Sequence, residues 1–282
     1  MNLTRSQIDS ALKAALREDI GAGDITTLAL VSSGDMASAR LIARKAGVAA
    51  GLQVFQRAFQ MVDKRCKVRL LSRDGVSFKA GAVLAQLSGP ARALLSAERV
   101  ALNFTQRLCG IATLTAAYVA ASRLAKRGSK TVILDTRKTT PGLRAFEKYA
   151  VLCGGGKNHR IGLYDAFLIK DNHIRACGSV AEAVRRAKKQ AGAKIVEVEV
   201  ENLRELREVL PEHPDIVLLD NMRGSLLKKA VALTTGSGVL TEVSGGVRLR
   251  EVAGLARLGV DRISVGALTH SAPALDLSLE FI

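Results

Sequence analysis

The sequence predicts an α/β protein in which a parallel barrel follows a smaller domain of one sheet and helices. The chain has 282 residues, which is longer than one ordinary domain and predicts two domains, or one barrel with an addition. Near residue 110, short alternating segments punctuated by glycine give way to regularly alternating strands and helices. Such repeated units place the strands in parallel, and the absence of a GxGxxG opening favours a barrel over a dinucleotide-binding sheet.

The composition is that of a globular chain that does not enter a membrane. Apolar residues make up 48% and charged residues 24% of the chain. No apolar stretch approaches the roughly 20 residues that span a bilayer. The start of the chain predicts an amphipathic helix and not a signal peptide, so we expect a cytoplasmic protein without a membrane partner. The four cysteines are far apart and predict buried, reduced thiols instead of a zinc site or disulfides.

The charge balance narrows the class of ligand. The chain has 42 basic and 26 acidic residues, for a formal net charge of +16. Such an excess is typical of proteins that bind nucleic acid, membrane surfaces or phosphorylated metabolites. The basic residues are scattered, aromatic residues make up only 4%, and tryptophan is absent, so no platform for stacking bases is evident. We therefore expect no nucleic-acid partner.

The first domain is predicted to begin with a helix over residues 4–18. The acidic turn that follows places Thr26 and Thr27 in a loop. Four strands and an intervening helix are then predicted, and in chain order these five segments cover 39–44, 47–51, 52–62, 67–71 and 82–87. Ser96 is predicted to open the next helix, and a separate helix is predicted from Ala112 to Ala125.

Six strands and four helices are predicted in the second half. The strands cover 131–136, 166–171, 194–200, 215–220, 238–244 and 262–266. The helices cover 179–191, 202–210, 225–234 and 248–257. In the third of these strands, valines share one face, and Glu197 and Glu199 share the other, so the two acids should point into the barrel.

Polar residues collect where the barrel strands end. Lys170, Asp220 and Ser244 each end a strand, and Arg137 and Lys138 follow another. Barrel enzymes build their active sites on that rim. A structural network of ion pairs would also explain one acid and one base there. Together with Glu197 and Glu199, these residues mean that five strands contribute polar side chains, four of them charged, at one rim, which favours a functional cluster.

Two glycine-containing loops predict a phosphate site on the same rim. Ser244-Gly245-Gly246 follows one late strand, and Val265-Gly266-Ala267 ends the next. Loops after the last two strands of a barrel often bind phosphate through backbone N–H groups, and glycine permits a close approach. Each loop alone is typical of a turn, whereas their shared placement favours phosphate.

Longer motifs together resemble the quinolinate phosphoribosyltransferase family, also called carboxylating nicotinate-nucleotide pyrophosphorylases. The central ones are DTRKTTPGLRAFEKYAV (135–151), GGGKNHRIGLYDAFLIKDNHI (154–174), EVEVEN (197–202), LLDN (218–221) and SGGVRL (244–249). Others lie towards the two ends of the chain, namely EDIGAGDIT (18–26), AERVALNFTQRLCGIAT (97–113) and VGALTHSAPALDLSL (265–279). The resemblance therefore covers almost the whole chain.

The resemblance implies a fold and a reaction. The implied fold is an N-terminal α/β sandwich (residues 1–109) and an incomplete, TIM-like α/β barrel of the type II phosphoribosyltransferase kind (110–267), with a tail (268–282) that packs back onto the sandwich. The implied reaction takes quinolinate and phosphoribosyl pyrophosphate (PRPP) to nicotinate mononucleotide, carbon dioxide and pyrophosphate in NAD biosynthesis, with Mg²⁺. A homodimer or higher even oligomer is also implied, in which Arg99 enters the neighbouring subunit's site.

The resemblance also implies roles for individual residues. A diacid and PRPP together require several cations, preferably arginines. The implied substrate-binding residues are Arg99, Thr136, Arg137, Lys138, His159, Arg160, Lys170, Glu199, Asp220, Ser244, Gly245, Gly246, Val265, Gly266, Ala267 and His270. Of these, Lys138, Lys170, Glu199 and Asp220 are implied to be catalytic. Glu199 and Asp220 are expected at the Mg²⁺ ion, directly or through water.

One departure from the family pattern and two alternatives stand beside this interpretation. Leu152 occupies a position where an arginine is common, and Lys157 is a partial substitute.

The nearest alternative is a related enzyme of the molybdenum operon, which has the same barrel and another acceptor. The runs TRKTTPGLR and NHRIGLYD favour quinolinate. A polyanion-binding protein without turnover is the alternative from another class.

Overall fold

A computed structural model describes residues 2–125 and 130–282, and the chain divides into two compact units. The first unit comprises Met1–Ala116, Thr139–Gly155 and Leu268–Ile282, and the second comprises Ala117–Lys138 and Gly156–Ala267. The sequence placed the domain boundary between residues 109 and 110, and that assignment stays a prediction.

The helices and strands alternate along most of the chain. The helices are α1 (Arg5–Ile20), α2 (Ile25–Leu30), α3 (Leu52–Val62), α4 (Ala91–Arg123), α5 (Arg144–Cys153), α6 (Asp171–Cys177), α7 (Val180–Ala191), α8 (Leu203–Val209), α9 (Gly224–Thr234), α10 (Leu249–Arg257) and α11 (Ala267–His270), with a 3-10 helix at Leu210–Glu212. The strands are β1 (Met36–Ala43), β2 (Gly47–Val48), β3 (Lys67–Leu70), β4 (Ser77–Phe78), β5 (Val83–Pro90), β6 (Val132–Leu134), β7 (Phe167–Ile169), β8 (Val196–Val200), β9 (Ile216–Asp220), β10 (Leu240–Ser244), β11 (Arg262–Ser264) and β12 (Leu277–Phe281).

The first unit is built on an antiparallel sheet with the strand order β12-β1-β5-β3. Leu41 of β1 pairs with Leu279 of β12 on one side and with Ala85 of β5 on the other. The alternating pattern of β1 buries Ala39, Leu41 and Ala43 on one face, as expected for a sheet with one face in the core. The last strand of the chain thus covers an edge of the first long strand.

The loop predicted at Thr26 and Thr27 is wrong, because these residues lie in the short helix α2. Asp24 is its N-cap residue, with one carboxylate oxygen accepting from the Thr27 N–H at 3.0 Å and the other from the Thr27 hydroxyl at 2.6 Å. The cap satisfies a backbone donor that the first turn of a helix otherwise leaves unpaired. The local signal was therefore present in the sequence as an aspartate three residues before Thr27.

The two helices predicted between residues 96 and 125 are a single helix of 33 residues, α4. Ser96 lies inside it, and its hydroxyl donates to Asp24 at 3.1 Å. Gly110 does not end the helix either. A Cβ atom there would overlap the carbonyl oxygen of Pro273, so glycine is required for a close approach between two segments of this unit.

The second unit contains six parallel strands in the order β6-β11-β10-β9-β8-β7. All six were predicted, and α7, α8, α9 and α10 match the four predicted helices to within a few residues. A complete barrel of this kind has about eight strands, so six make an incomplete one. Because the strands are parallel, their C-terminal ends lie along one rim.

Two further expectations concern membranes and cysteines. Among the described residues, no helix combines the length and apolar composition required to cross a bilayer. All four cysteines are free thiols, of which Cys66 and Cys109 are buried and Cys153 and Cys177 are half-buried. Burial raises the pKa of the Cys66 thiol to about 11 and that of Cys109 to about 12, as expected for unreactive core cysteines.

Candidate active site

The C-terminal rim of the parallel sheet carries most of the predicted site residues. Those in the second unit are Thr136, Arg137, Lys138, His159, Arg160, Lys170, Glu199, Asp220, Ser244, Gly245, Gly246, Val265, Gly266 and Ala267. Arg99 and His270 belong to the first unit. Arg99 is exposed on α4, and His270 is exposed at the end of α11 with Nδ1 2.6 Å from the Ser271 hydroxyl.

Lys170 and Glu199 form an ion pair at the ends of two neighbouring strands. The pairing of Ile169 with Val198 brings the next residue of each strand to the same level. The Lys170 Nζ donates to Glu199 Oε2 at 2.6 Å. Lys170 is 46% exposed and Glu199 only 13%, so the pair opens to solvent on its lysine side. A positive and a negative group are therefore both available at one point of the rim.

Arg137 and Arg160 place two positive charges close together in the same unit. One terminal nitrogen of Arg160 donates to the Ala166 carbonyl at 3.2 Å, and its Nε is buried without a hydrogen-bond partner among the described residues. Burial lowers the pKa of the Arg160 guanidinium, and the charge of Arg137 lowers it further. Two partly buried guanidiniums provide positive charge for an acidic ligand, although the carboxylates of Glu197 and Asp165 also act on Arg160 in the opposite direction.

His159 is buried, and both of its ring nitrogens face protein atoms. Nδ1 accepts from the Arg160 N–H at 2.8 Å, and Nε2 lies 3.0 Å from Glu197 Oε2. Burial alone would lower the pKa of His159, whereas the carboxylates of Glu197 and Glu242 outweigh it and raise that pKa. A proton on Nδ1 would nevertheless oppose the Arg160 N–H, so the ring carries its proton on Nε2 and donates to Glu197.

Asp135 fixes the segment that carries His159 to the end of β6. Its side chain is fully buried and accepts from the His159 N–H at 2.9 Å and from the Asn158 amide at 2.6 Å. This aspartate lies within the motif at 135–151, and no role was predicted for it. The sequence feature that indicates such a role is an acid directly after the buried strand Val132–Leu134. A carboxylate at that position requires hydrogen-bond donors from the protein.

Glu242 is a second buried acid for which the sequence predicted no role. It is fully buried on β10, accepts from Arg262 Nε at 2.7 Å, and has an oxygen 3.5 Å from His159 Nε2. Burial raises the pKa of Glu242, and the nearby Glu197 raises it further. The strand period of two could have found it, since Glu242 shares a face with the predicted rim residue Ser244.

Asp220 lies beside the first of the two glycine-containing loops. It is the last residue of β9 and pairs with Ser244 of β10. Its carboxylate accepts from the Asn221 amide at 2.7 Å, and the Asn221 N–H donates to the Ser244 carbonyl at 3.2 Å. The Asp220 carboxylate is therefore held beside Ser244, where the loop 244–246 begins.

The two loops occupy the same edge of the sheet. Gly245 has φ +97°, and a Cβ atom there would overlap the Asn221 side chain, so only glycine fits. Arg223 donates to the Gly245 carbonyl, which fixes the orientation of that peptide. In the second loop, the Val265 N–H already donates to the Leu134 carbonyl at 2.9 Å. That N–H group is therefore already paired within the sheet.

Glu199 and Asp220 offer the hard oxygen ligands that Mg²⁺ prefers. Within residues 2–125 and 130–282, the only group of three or more potential ligands consists of His159, Glu197 and Glu242, and it contains neither of these two acids. The two carboxylates alone do not complete an octahedral shell. An ion held by these two acids would take its remaining ligands from water and from substrate oxygens.

Both halves of the chain match models of one protein family. Residues 24–109 match the quinolinate phosphoribosyl transferase N-terminal domain, and residues 111–280 match the quinolinate phosphoribosyl transferase C-terminal domain. Together the two matches cover nearly all of the chain.

Curated relatives show the same similarity over their full length. The chain is 42% identical over 275 residues to the probable nicotinate-nucleotide pyrophosphorylase (carboxylating) of Bacillus subtilis, covering 97% of this chain and 93% of the relative. It is 42% identical over 289 residues to the nicotinate-nucleotide pyrophosphorylase (carboxylating) of Mycobacterium leprae, covering 99% of both.

Solved structures share the fold closely. NadC from Streptococcus pyogenes superposes with a TM-score of 0.92 at 44% identity, covering 100% of this chain and 99% of that one. The nicotinate-nucleotide pyrophosphorylase from Francisella tularensis superposes with a TM-score of 0.94 at 41% identity, covering 100% and 98%. The α/β fold class expected from the sequence is thereby confirmed.

Proposed function

The chain belongs to the quinolinate phosphoribosyltransferase family, and on that premise we propose that it transfers the phosphoribosyl group of PRPP to quinolinate. The products are nicotinate mononucleotide, carbon dioxide and pyrophosphate, a step of NAD biosynthesis. The observation that carries the proposal is the pair of guanidiniums of Arg137 and Arg160, partly buried in the unit whose rim also holds the Lys170–Glu199 ion pair. A diacid neutralises such a pair of arginines with bidentate hydrogen bonds.

The acceptor is bound through its two carboxylates. Arg137 and Arg160 receive them, and Lys138 and Lys170 add positive charge from the same rim. Thr136 accepts from the Lys138 N–H at 3.0 Å, which shapes the turn that presents Lys138. Binding both neighbouring carboxylates fixes the orientation of the ring, and with it the direction of the ring nitrogen, which is next to one of them.

The donor is bound through its phosphates. The backbone of the loops 244–246 and 265–267 receives the 5-phosphate, and His270 and Lys138 are further candidates for phosphate contacts. Glu199 and Asp220 would hold Mg²⁺, which when bound would neutralise the pyrophosphate group. Metal binding at these acids stays a prediction.

The chemistry requires positioned charge and no nucleophile on the enzyme. As the bond from the ribose carbon to pyrophosphate breaks, the carbon gains positive character that the Glu199 carboxylate offsets. The ring nitrogen donates its electron pair to that carbon. The ring is then cationic and accepts the electrons of the bond to the adjacent carboxylate, which leaves as carbon dioxide, and the ring carbon takes up a proton.

The assembly and location are proposed on the same basis. A homodimer or higher even oligomer would let the exposed Arg99 of one subunit enter the site of its neighbour. A cytoplasmic location, with no nucleic-acid or membrane partner, stays a prediction.

The test is a reaction containing quinolinate, PRPP and Mg²⁺, followed by carbon dioxide release and by formation of nicotinate mononucleotide. We expect both products in equal amounts, and loss of turnover when the metal is chelated. Nicotinate in place of quinolinate is the matched acceptor, because it has one carboxylate fewer. Equal turnover with nicotinate, or no product from quinolinate, would refute the proposal.

A further inference from the structure

A cluster of buried polar side chains surrounds His159, the residue before Arg160, in the second unit. Arg262 donates to Glu242, an oxygen of Glu242 lies 3.5 Å from His159 Nε2, and His159 Nε2 is 3.0 Å from Glu197. His159, Glu197 and Glu242 are all at least nine-tenths buried. The proposed reaction assigns neither glutamate a role, so their presence in the core requires an explanation.

The chemistry of the cluster argues against a metal centre. An imidazole that accepts a hydrogen bond at Nδ1 must keep its proton on Nε2, the nitrogen that faces both carboxylates. A metal ion on Nε2 would require loss of that proton while Nδ1 still accepts from the Arg160 N–H. The Arg262 guanidinium beside Glu242 disfavours a further cation.

The arrangement instead fixes the direction of the imidazole. Glu197 accepts from Nε2–H, and the nearby Glu242 reinforces the attraction for that proton. Nδ1 is thereby held as an acceptor for the backbone N–H of Arg160, at 2.8 Å. The adjoining loop is fixed separately, since Asp165 accepts from the Ile161 and Gly162 N–H groups at 2.7 and 2.8 Å.

Arg160 has a particular need for such support. Its guanidinium lies within electrostatic range of Arg137, which repels it, and of Glu197 and Asp165, which attract it, so its position depends on a balance of charges. The buried Nε of Arg160 lacks a hydrogen-bond partner among the described residues, so the side chain itself is only partly held. The hydrogen bond from the Arg160 N–H to His159 Nδ1 restrains the backbone at Arg160.

We propose that His159, Glu197 and Glu242 are positioning residues that hold Arg160 in place for the diacid, and that His159 does so through its Nδ1 atom. This inference rests on the proposed function. It adds a positioning role to the substrate-binding role that the family resemblance implies for His159.

The test compares two amides at position 159. In His159→Asn the side-chain oxygen can take the place of Nδ1, whereas in His159→Gln the amide reaches the place of Nε2. We expect His159→Gln to raise the KM for quinolinate about tenfold or more, as for loss of a hydrogen bond that orders a charged group, with the KM for PRPP little changed. His159→Asn should stay within about threefold of the natural enzyme.

A double-mutant cycle keeps the proposal testable if His159→Asn does not fold. Glu242→Gln should raise the KM for quinolinate, and adding it to His159→Gln should produce little further increase, because the two act through one contact. Glu182→Gln is the matched control, since Glu182 lies on α7 in the same unit and pairs with Arg186 at the surface. The control should leave both KM values unchanged.

The outcomes separate this inference from the proposed function. If the natural enzyme makes no product from quinolinate, the function is wrong. If it turns over, an equal effect of the two amides, a better His159→Gln than His159→Asn, or additive effects of His159→Gln and Glu242→Gln would overturn the inference. Calorimetric titration with quinolinate alone gives the same ranking as an affinity, independently of turnover.

Discussion

Lys170 shows how little a rim ion pair contributes to folding and how much it is expected to contribute to turnover. Because the pair with Glu199 is open to solvent on the lysine side, its contribution to stability should be below about 1 kcal/mol. In the proposed reaction, the same ammonium would face anionic substrates. We predict that Lys170→Met lowers kcat at least about 100-fold.

The measurement is steady-state kinetics combined with thermal denaturation. Lys188→Met is the matched control, because Lys188 donates to the carbonyls of Glu212 and His213 on the surface of the same unit. The control should retain turnover, and both variants should unfold within a few degrees of the natural protein. Full activity of Lys170→Met would remove Lys170 from the site.

Glu242 should make the stability of the protein depend on pH. Burial and the nearby Glu197 raise the pKa of Glu242 in the folded protein, whereas a glutamate in the unfolded chain has a pKa of about 4.3. The stability that this raised pKa contributes is complete below the unfolded value and is lost as the pH rises through the folded one, by up to about 1.4 kcal/mol per pH unit. Glutamine has no such loss and can still accept from Arg262.

We therefore predict that Glu242→Gln gains stability relative to the natural protein as the pH rises from about 4 to 8. The measurement is the free energy of unfolding by urea at several pH values. Glu182→Gln serves again as the surface control and should show the opposite trend, because pairing with Arg186 and Arg185 lowers the pKa of Glu182. A pH-independent difference for Glu242→Gln would contradict the raised pKa.

At the level of elements, two glycines in helices, one in α4 and one in α10, allow a paired test of how glycine affects stability. Gly110 in α4 lies against Pro273, whereas a Cβ atom at Gly254 in α10 would meet nothing within 4 Å. Alanine is the better helix former by about 1 kcal/mol, so Gly254→Ala should stabilise the protein by about that amount. Gly110→Ala should destabilise it, because backbone at Pro273 must move.

The measurement is again the free energy of unfolding, and the two variants control for each other because both make the same chemical change in a helix. Stabilisation by Gly110→Ala would mean that the close approach to Pro273 is absent in solution.

The same elements show which parts of the fold were predictable from sequence. The parallel strands have a strong signal, because each is a short apolar run between turn residues, and all six were found. The predicted break between two helices lies next to Gly110, and a glycine that ends a helix has the same local pattern as one that permits a close contact. Distinguishing them requires the position of Pro273, which is distant in sequence.

The sequence also indicated some residues of the candidate site and not others. Lys170, Glu199 and Asp220 follow from strand ends in a parallel sheet, and their placement on one rim needs only the topology. Asp135 and Glu242 were missed since their partners, His159 and Arg262, come from other strands or loops. A single sequence gives the face on which such a residue lies but not the group it meets.

At the scale of the molecule, the predicted site draws on residues that are widely spaced in the chain. Arg99 belongs to the first unit, and Lys170 belongs to the second. If Arg99 completes the site of a neighbouring subunit, each site needs two chains, and the enzyme should be active only as an oligomer. Sedimentation can establish the assembly but not the exchange of Arg99.

Complementation between inactive variants tests the exchange directly. Arg99→Ala and Lys170→Met should each have little activity alone. In a mixed dimer, the site that takes Lys170 from the first variant and Arg99 from the second is intact, whereas the other site lacks both. Since random mixing of equal amounts makes half of the dimers mixed, activity should recover to about a quarter of the natural value.

The variants are mixed in mild denaturant and refolded together, with Arg99→Ala refolded alone as the control. Recovery must disappear when the two variants are refolded separately and then combined without exchange of subunits. If Arg99 instead served the site of its own chain, one chain of every mixed dimer would lack Arg99 and the other would lack Lys170. No mixture would then recover activity, and the shared site would be excluded.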